Sequence, residues 1–136
     1  MWAIEYIPRI HDPVTVKRFY TMEETEEFMD RLRTERPDVA DYHVVKHLDN
    51  VNSWSFVRDA SQDIWRTQIP VDPYCMMIGW EKFSGNYIIT VTDKDNRFHN
   101  IDGVNPGDMV TWGLNERECN RRIENMYKWV DEHVDN

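Results

Sequence analysis

Leucine and alanine are scarce in this sequence, with three of each in 136 residues. These two residues favour helices most, whereas β-branched and aromatic side chains suit the half-buried surface of a sheet. Valine and isoleucine together number 23, and 17 residues are aromatic, six of them tryptophan. This composition argues against a helical bundle. We expect a core built mostly of sheet, with helices as an attached layer.

Cysteines and long apolar runs are also few. Cys75 and Cys119 are the two cysteines and belong to no C-x-x-C pair, too few for an extracellular disulfide scaffold. No apolar run approaches the ~18 residues of a membrane span. Residues 1–6 lack the basic and apolar regions of a secretory signal. We therefore expect a cytoplasmic protein without a membrane partner.

Clusters of basic residues are lacking in a chain whose formal net charge is −9. General affinity for nucleic acid depends on clustered Lys and Arg that neutralise phosphates. We therefore expect no direct binding to nucleic acid. Because an acidic field attracts basic molecules over long distances, a basic protein is the expected kind of partner.

The length and the hydrophobic pattern predict a single α+β domain over residues 1–136. A capping box at Thr21 and Glu24 begins a helix over residues 22–36. Asn115 caps a second helix over residues 116–134, whose apolar residues keep helical spacing. We expect both helices to pack on one antiparallel sheet of about six strands. The predicted strands cover residues 2–7, 14–20, 41–48, 74–80, 87–91 and 97–101, with a short one at 109–112.

The segment over residues 49–73 fits no template well, and irregular stretches of this length are often functional. We interpret residues 54–58 as a strand candidate and residues 60–68 as a short helix capped by Asp59. Tryptophan and arginine are enriched at binding hot spots. The alternative is that the tryptophans of this segment close one end of the core. The predicted partner-binding residues are Trp54, Phe56, Arg58, Trp65 and Arg66.

A second candidate site lies at the start of the last helix, where backbone N–H groups point outward. Arg117, Arg121 and Arg122 follow one another closely there. Combined with an aromatic side chain, they form a candidate site for a nucleotide-like anion. Ordinary surface ion pairing is the alternative.

Motifs for catalysis and metal binding are missing, since the chain has no G-x-S-x-G, P-loop or G-x-G-x-x-G. His43 and His47 are predicted to lie in a strand, where four residues span about 13 Å, too far for one metal ion. A further set of four aspartates and one histidine, close together in the sequence, resembles the metal-binding residues of a metal-dependent hydrolase. Most of these aspartates, however, occupy turn positions that favour aspartate. That set comprises Asp93, Asp95, His99, Asp102 and Asp108.

The sequence therefore favours a small acidic binding protein of the cytoplasm that inhibits a basic protein partner. Toxin-immunity and phage counter-defence proteins are of this type. The alternative is a protein that binds or sequesters a nucleotide-like small anion, and the third interpretation is a metal-dependent hydrolase. We expect no catalytic residues, no metal site and no cofactor.

Overall fold

The computed structural model describes residues 1–10, 12–59, 61, 63–107 and 109–134. The chain divides into two compact units, residues 1–49 and residues 50–136. That residues 1–136 form one domain stays a prediction.

The first unit combines a three-stranded antiparallel sheet with a long helix. Its elements are β1 (Trp2–Tyr6), β2 (Val14–Phe19), α1 (Met22–Glu35), α2 (Pro37–Ala40) and β3 (His43–His47). The strand order is β2-β1-β3, so β1 pairs with both neighbours. Ile4 of β1, Phe19 of β2 and Met29 of α1 form the buried core of this unit.

The predicted capping box begins α1. The Thr21 hydroxyl accepts a hydrogen bond from the Glu24 backbone N–H at 3.2 Å and donates one to the Glu24 carboxylate at 2.9 Å. One backbone donor at the helix start, the Glu24 N–H, is satisfied in this way, while the Glu24 carboxylate accepts from the Thr21 hydroxyl rather than from its backbone N–H. After Glu35, the chain turns at Arg36 into the short helix α2, whose first residue is Pro37.

The second unit is built on a five-stranded antiparallel sheet. Its elements are a 3₁₀ turn (Val51–Ser53), β4 (Val57–Asp59), β5 (Ile64–Val71), β6 (Tyr74–Glu81), β7 (Tyr87–Thr92), β8 (Thr111–Leu114) and α3 (Glu116–His133). The strand order β4-β5-β6-β7-β8 follows the chain, so each strand pairs with the next one. Asn115 caps α3 by accepting a hydrogen bond from the Glu118 N–H at 2.8 Å.

One face of the five-stranded sheet is covered by α3. Ile69 of β5, Met76 of β6 and Val91 of β7 lie side by side on this face and are fully buried, as is Ile89 of β7. Tyr74, on the same face, packs edge-on against Trp129 of α3 with ring centroids 5.9 Å apart. We call this the covered face. The side chains between these positions point to the opposite face, because successive residues of a strand alternate.

The α+β class and the antiparallel pairing are confirmed. Among the described residues, however, the strands form two sheets rather than one. The reason is that β5 pairs along the whole of β6, from Ile64 opposite Glu81 to Val71 opposite Tyr74. The local hairpin of β5 and β6 therefore occupies one edge of β6, and β7 occupies the other.

The predicted short helix over residues 60–68 is wrong where the structure describes it. Residues from Ile64 onward belong to β5, with Thr67, Ile69 and Val71 alternating toward the covered face. Ala60 and Gln62, also part of that prediction, lie outside the described residues. Similarly, the predicted strand over residues 97–101 is reduced to an isolated bridge between Thr92 and Phe98.

Candidate functional site

The face of the five-stranded sheet opposite α3 carries a row of side chains that crosses four strands. Val57 of β4 lies opposite Arg66 of β5, which lies opposite Gly79 of β6. Gly79 in turn lies opposite Ile88 of β7. We call this side of the sheet the open face, since the residues of α3 pack on the other side.

A groove of about 340 Å³ runs along the open face, within the size range of ligand sites. Its floor is apolar, formed by Ile64, Met77, Gly79 and Ile88. Gly79 adds no side chain to this floor, and a Cβ atom there would lie in tight contact with Ile64 Cγ2 at 3.2 Å. Because glycine has no side chain, the surface above Gly79 is lower than the side chains beside it, and we call this position the dip. We call this cavity the sheet groove.

Trp112 forms one wall of the sheet groove, and a bulge aims it there. Tyr87 pairs with Leu114 and Ile89 pairs with Thr111, so Trp112 and Gly113 both lie opposite Ile88. Gly113 has a φ of 73°, a left-handed conformation that glycine adopts without strain. Bulges of this kind redirect side chains at functional sites. Trp112 lines the groove with 63% of its surface exposed.

Phe98 lines the sheet groove with 51% of its surface exposed, and a tight turn holds it in place. The Asp93 carboxylate accepts hydrogen bonds from the backbone N–H groups of Asp95 at 2.8 Å and Arg97 at 3.1 Å. Its second oxygen lies 2.7 Å from His99 Nε2. The hydrogen bond with His99 is the main cause that lowers the pKa of Asp93 below its ordinary value. The turn is therefore fixed on both sides of Phe98.

Arg66 lines the sheet groove, and two carboxylates lie beyond it on the same face of the sheet. Arg66 Nε lies 3.6 Å from an Asp59 carboxylate oxygen across the β4–β5 pair. Hydrogen bonds from the hydroxyl and backbone N–H of Ser61 lower the pKa of Asp59. Ile64 lies opposite Asp59 on one side and opposite Glu81 on the other. Two carboxylates and one guanidinium thus share this end of the open face.

The structure distributes the five predicted partner-binding residues over different surroundings. Arg66 lines the sheet groove. Trp65 lies opposite Trp80 on the covered face and is half-buried. Phe56 packs edge-on against Tyr87 with centroids 6.3 Å apart. Neither Trp54 nor Arg58 lines the groove.

Trp54 follows the 3₁₀ turn, and its backbone N–H donates to the Val51 carbonyl. Arg58 is exposed and forms an ion pair with Asp63 at 2.9 Å. The segment over residues 49–73 is therefore part sheet and part turn, and it contributes one predicted contact residue, Arg66, to the sheet groove. Whether the five residues bind a partner stays a prediction.

Two of the three arginines of the predicted anion site have acceptors within the chain, and whether the three bind an anion stays a prediction. Arg121 forms an ion pair with Glu118 at 3.0 Å. Arg122 donates from Nη1 to the Val104 carbonyl, which ties the loop before β8 to α3. Arg117 is exposed at the first turn of the helix. Two of the three side chains therefore already have an acceptor within the chain.

The two histidines considered for zinc binding have local partners. His43 Nδ1 lies 2.8 Å from the Val39 carbonyl, and His47 Nε2 lies 2.8 Å from the Asp49 carboxylate. In the described part of the chain, no three His, Cys, Asp or Glu side chains form a metal-ligand group. Asp108 lies outside that part.

Of the residues that line the sheet groove, sequence reasoning predicted only Arg66 as a contact residue. Those it missed include Gly79, Phe98 and Trp112. A signal was present in β6, where Met77 alternates with Met76 and Ile78, so that apolar side chains occupy both faces of one strand. Such strands are typical of sheets covered on both sides. In this sheet, the second apolar face carries the groove.

None of the helices formed by the described residues has the length and the apolar content needed to cross a membrane. Comparisons of the chain with protein-family models, curated proteins and solved structures find no match.

Proposed function

We propose that this protein is a small acidic cytoplasmic binding protein that inhibits a basic protein partner, and that it binds this partner through the sheet groove. The observation that supports the proposal most is the pair of exposed aromatic side chains, Trp112 and Phe98, beside an apolar floor. Exposed apolar patches of this kind mark interaction sites. Tryptophan is also among the residues most enriched at binding hot spots.

The charge of the chain supports the choice of a basic partner. A net charge of −9 attracts a basic protein and speeds the encounter with it. The apolar floor of the sheet groove then supplies the contact area. This combination fits inhibitors of the toxin-immunity or phage counter-defence type, which bind a partner and block it without chemistry of their own.

The anion-binding alternative gains less support from the contacts. Arg121 and Arg122 are engaged by Glu118 and the Val104 carbonyl. Arg66, the arginine of the sheet groove, lies beside Asp59, which offsets its charge. We therefore retain the protein partner as the proposed ligand.

A selection from a random peptide library tests the proposal. Peptides selected on the wild-type protein should be rich in Lys and Arg, and they should bind the Phe83→Ala variant as well as the wild type. Phe83 is the matched control, because it is an aromatic residue 87% exposed in the loop between β6 and β7. The same peptides should lose affinity for the Trp112→Ala and Phe98→Ala variants.

Selected peptides that bind these two variants as tightly as the wild type would overturn the proposed site. A selection that returns acidic peptides would overturn the basic partner. Once a partner enzyme is in hand, the wild-type protein should abolish its activity at concentrations where the Trp112→Ala variant leaves it largely intact.

A further inference from the structure

The dip at Gly79 is surrounded by aliphatic side chains. Ile64 Cγ2 and Ile88 Cβ lie 3.2 and 3.8 Å from the position of an added Cβ, and Met77 continues the floor one pair of residues further along β6. The backbone of Gly79 has no left-handed φ, so this position does not need glycine for its conformation. Ile64 crowds the position of a Cβ at Gly79, so an incoming side chain would lie above the Gly79 backbone, within the sheet groove. The apolar surroundings there suit an aliphatic side chain.

Two carboxylates lie at a defined distance from this dip. Glu81 is two residues beyond Gly79 along β6, on the same face, which places it about 7 Å away along the strand. Asp59 lies on the same level, opposite Ile64 and two strands from Glu81. Neighbouring strands are about 5 Å apart, so a cation above Ile64 lies between both carboxylates.

Asp59, Glu81 and Arg66 together carry a net negative charge at this end of the open face. Asp59 and Glu81 bring two negative charges, and Arg66 brings one positive charge at 3.6 Å from Asp59. An additional cation would balance the group, which agrees with the negative charge of the whole chain. Partly exposed pairs of this kind add modest affinity, but they select the charge of the partner.

An extended peptide reproduces this spacing. Side chains two residues apart in an extended chain point to the same side and lie about 7 Å apart. We infer that the sheet groove recognises an extended segment of the basic partner in which an aliphatic residue and a Lys or Arg are separated by one residue. The aliphatic side chain enters the dip at Gly79, and the cation lies between Asp59 and Glu81. This inference rests on the proposed function and specifies the partner sequence that the groove takes.

Peptides taken from the selection described above test the spacing directly, without touching the fold. Replacing the aliphatic residue by Ala should weaken binding about tenfold, because the peptide then loses the free energy gained by burying that side chain. Replacing the basic residue by Met should weaken binding about two- to fivefold and reduce its dependence on salt. Inserting one residue between the two should cost as much as losing one of them.

Two variants of the protein test the same contacts from the other side. Gly79→Ala fills the dip and should weaken binding roughly tenfold, because an overfilled pocket must shift its neighbours. Glu81→Gln should remove the preference for Lys or Arg over Met in the peptide. Glu132→Gln is the matched control, since Glu132 is exposed on α3 and should leave both affinity and preference unchanged.

Glycine amide signals in NMR separate the two proposals. The chain has five glycines. Gly79 and Gly113 lie at the sheet groove, and the others, in loops, serve as internal references. Peptides that leave the Gly79 and Gly113 signals unchanged would contradict the proposed site itself. Peptides that shift these signals, but bind regardless of spacing, charge and the Gly79→Ala change, would overturn only this inference. The same spectra show whether the Gly79→Ala variant is folded. If it is not, the peptide replacements alone test whether the groove requires an aliphatic and a basic residue separated by one residue.

Discussion

The two faces of the five-stranded sheet differ although the same strands form both. On the covered face, Ile69, Met76 and Ile89 are fully buried beneath α3. On the open face, Met77 and Ile88 are half-buried and border a groove with exposed aromatic walls. Met76 and Met77 are neighbours in the chain, yet one belongs to the core and the other to a surface.

This difference teaches how one small sheet serves two purposes. The covered face supplies the burial that stabilises the second unit, since buried apolar area is the main favourable contribution to folding. The open face keeps apolar area in contact with water, which is unfavourable unless a partner removes it. Substitutions on the covered face should therefore change stability, whereas those on the open face should change binding.

The largest expected effect comes from the neighbouring methionines. Met76→Ala should lower the free energy of unfolding by about 2–5 kcal/mol, as for other buried methionines replaced by Ala. Met77→Ala should cost clearly less, because its side chain is half-buried on the open face. Urea denaturation of the two variants measures both values. Equal losses would show that the open face is also part of the core, and the comparison would fail.

Two tryptophans sharpen the comparison for binding. Trp112→Ala should weaken binding of a selected peptide by at least ~2 kcal/mol, about thirtyfold, with little change in thermal stability. Trp65→Ala should instead lower stability, by less than the ~3–5 kcal/mol of a fully buried tryptophan, because Trp65 is half-buried. Calorimetric binding and thermal unfolding of the same samples give both quantities. A loss of binding in the Trp65→Ala variant, with unchanged stability, would support the contact predicted for this residue from the sequence.

The sequence was sufficient to predict the elements that depend on neighbouring residues. Thr21 with Glu24 and Asn115 with Glu118 mark the starts of α1 and α3, because a cap and its partner are three residues apart. The hairpin of β6 and β7 follows from alternation on both sides of a short turn. Local chemistry decides each of these features, so one sequence is enough to find them.

The arrangement of β5 and the sheet groove could not be predicted in the same way. β5 forms where residues 60–68 suggested a helix, since pairing with β6 along its whole length outweighs a local cap. The sheet groove combines Gly79, Phe98 and Trp112 only through the register of several strands and a bulge at β8. Such long-range pairing leaves no signature in the spacing of residues along the chain.

The two cysteines provide a smaller, chemical comparison. Burial raises the pKa of the Cys119 thiol to about 12, and its side chain is fully buried on α3. Cys75 is half-buried, and burial followed by the nearby Asp72 charge raises its pKa less strongly. At neutral pH, a thiol reagent should therefore label Cys75 slowly and Cys119 only after unfolding. The Cys75→Ser variant should show no labelling in the native state, and rapid labelling of that variant would contradict the burial of Cys119.

The smallest expected effect concerns Asp93, whose turn holds Phe98 at the open face. The fold lowers the pKa of Asp93 below its ordinary value of 3.8. Its ionised form therefore adds stability above that value, and this contribution is lost as the pH falls through the lower pKa of the folded state. The melting temperature of the wild type should consequently fall more steeply on acidification below pH 4 than that of the Asp93→Asn variant.

Asp95→Asn is the matched control for this experiment, because Asp95 is exposed in the same turn. Its melting temperature should fall as steeply below pH 4 as that of the wild type, because the contacts of the Asp93 carboxylate remain in this variant. Loss of the Asp93 charge should also loosen the turn beside Phe98, so the Asp93→Asn variant should bind a selected peptide somewhat more weakly than the wild type at neutral pH. That loss should be smaller than the one caused by Trp112→Ala, since the Phe98 side chain remains available. If the acid-side slope of Asp93→Asn equals that of the wild type, the contact between Asp93 and His99 does not contribute to stability, and the fixed position of Phe98 needs another cause.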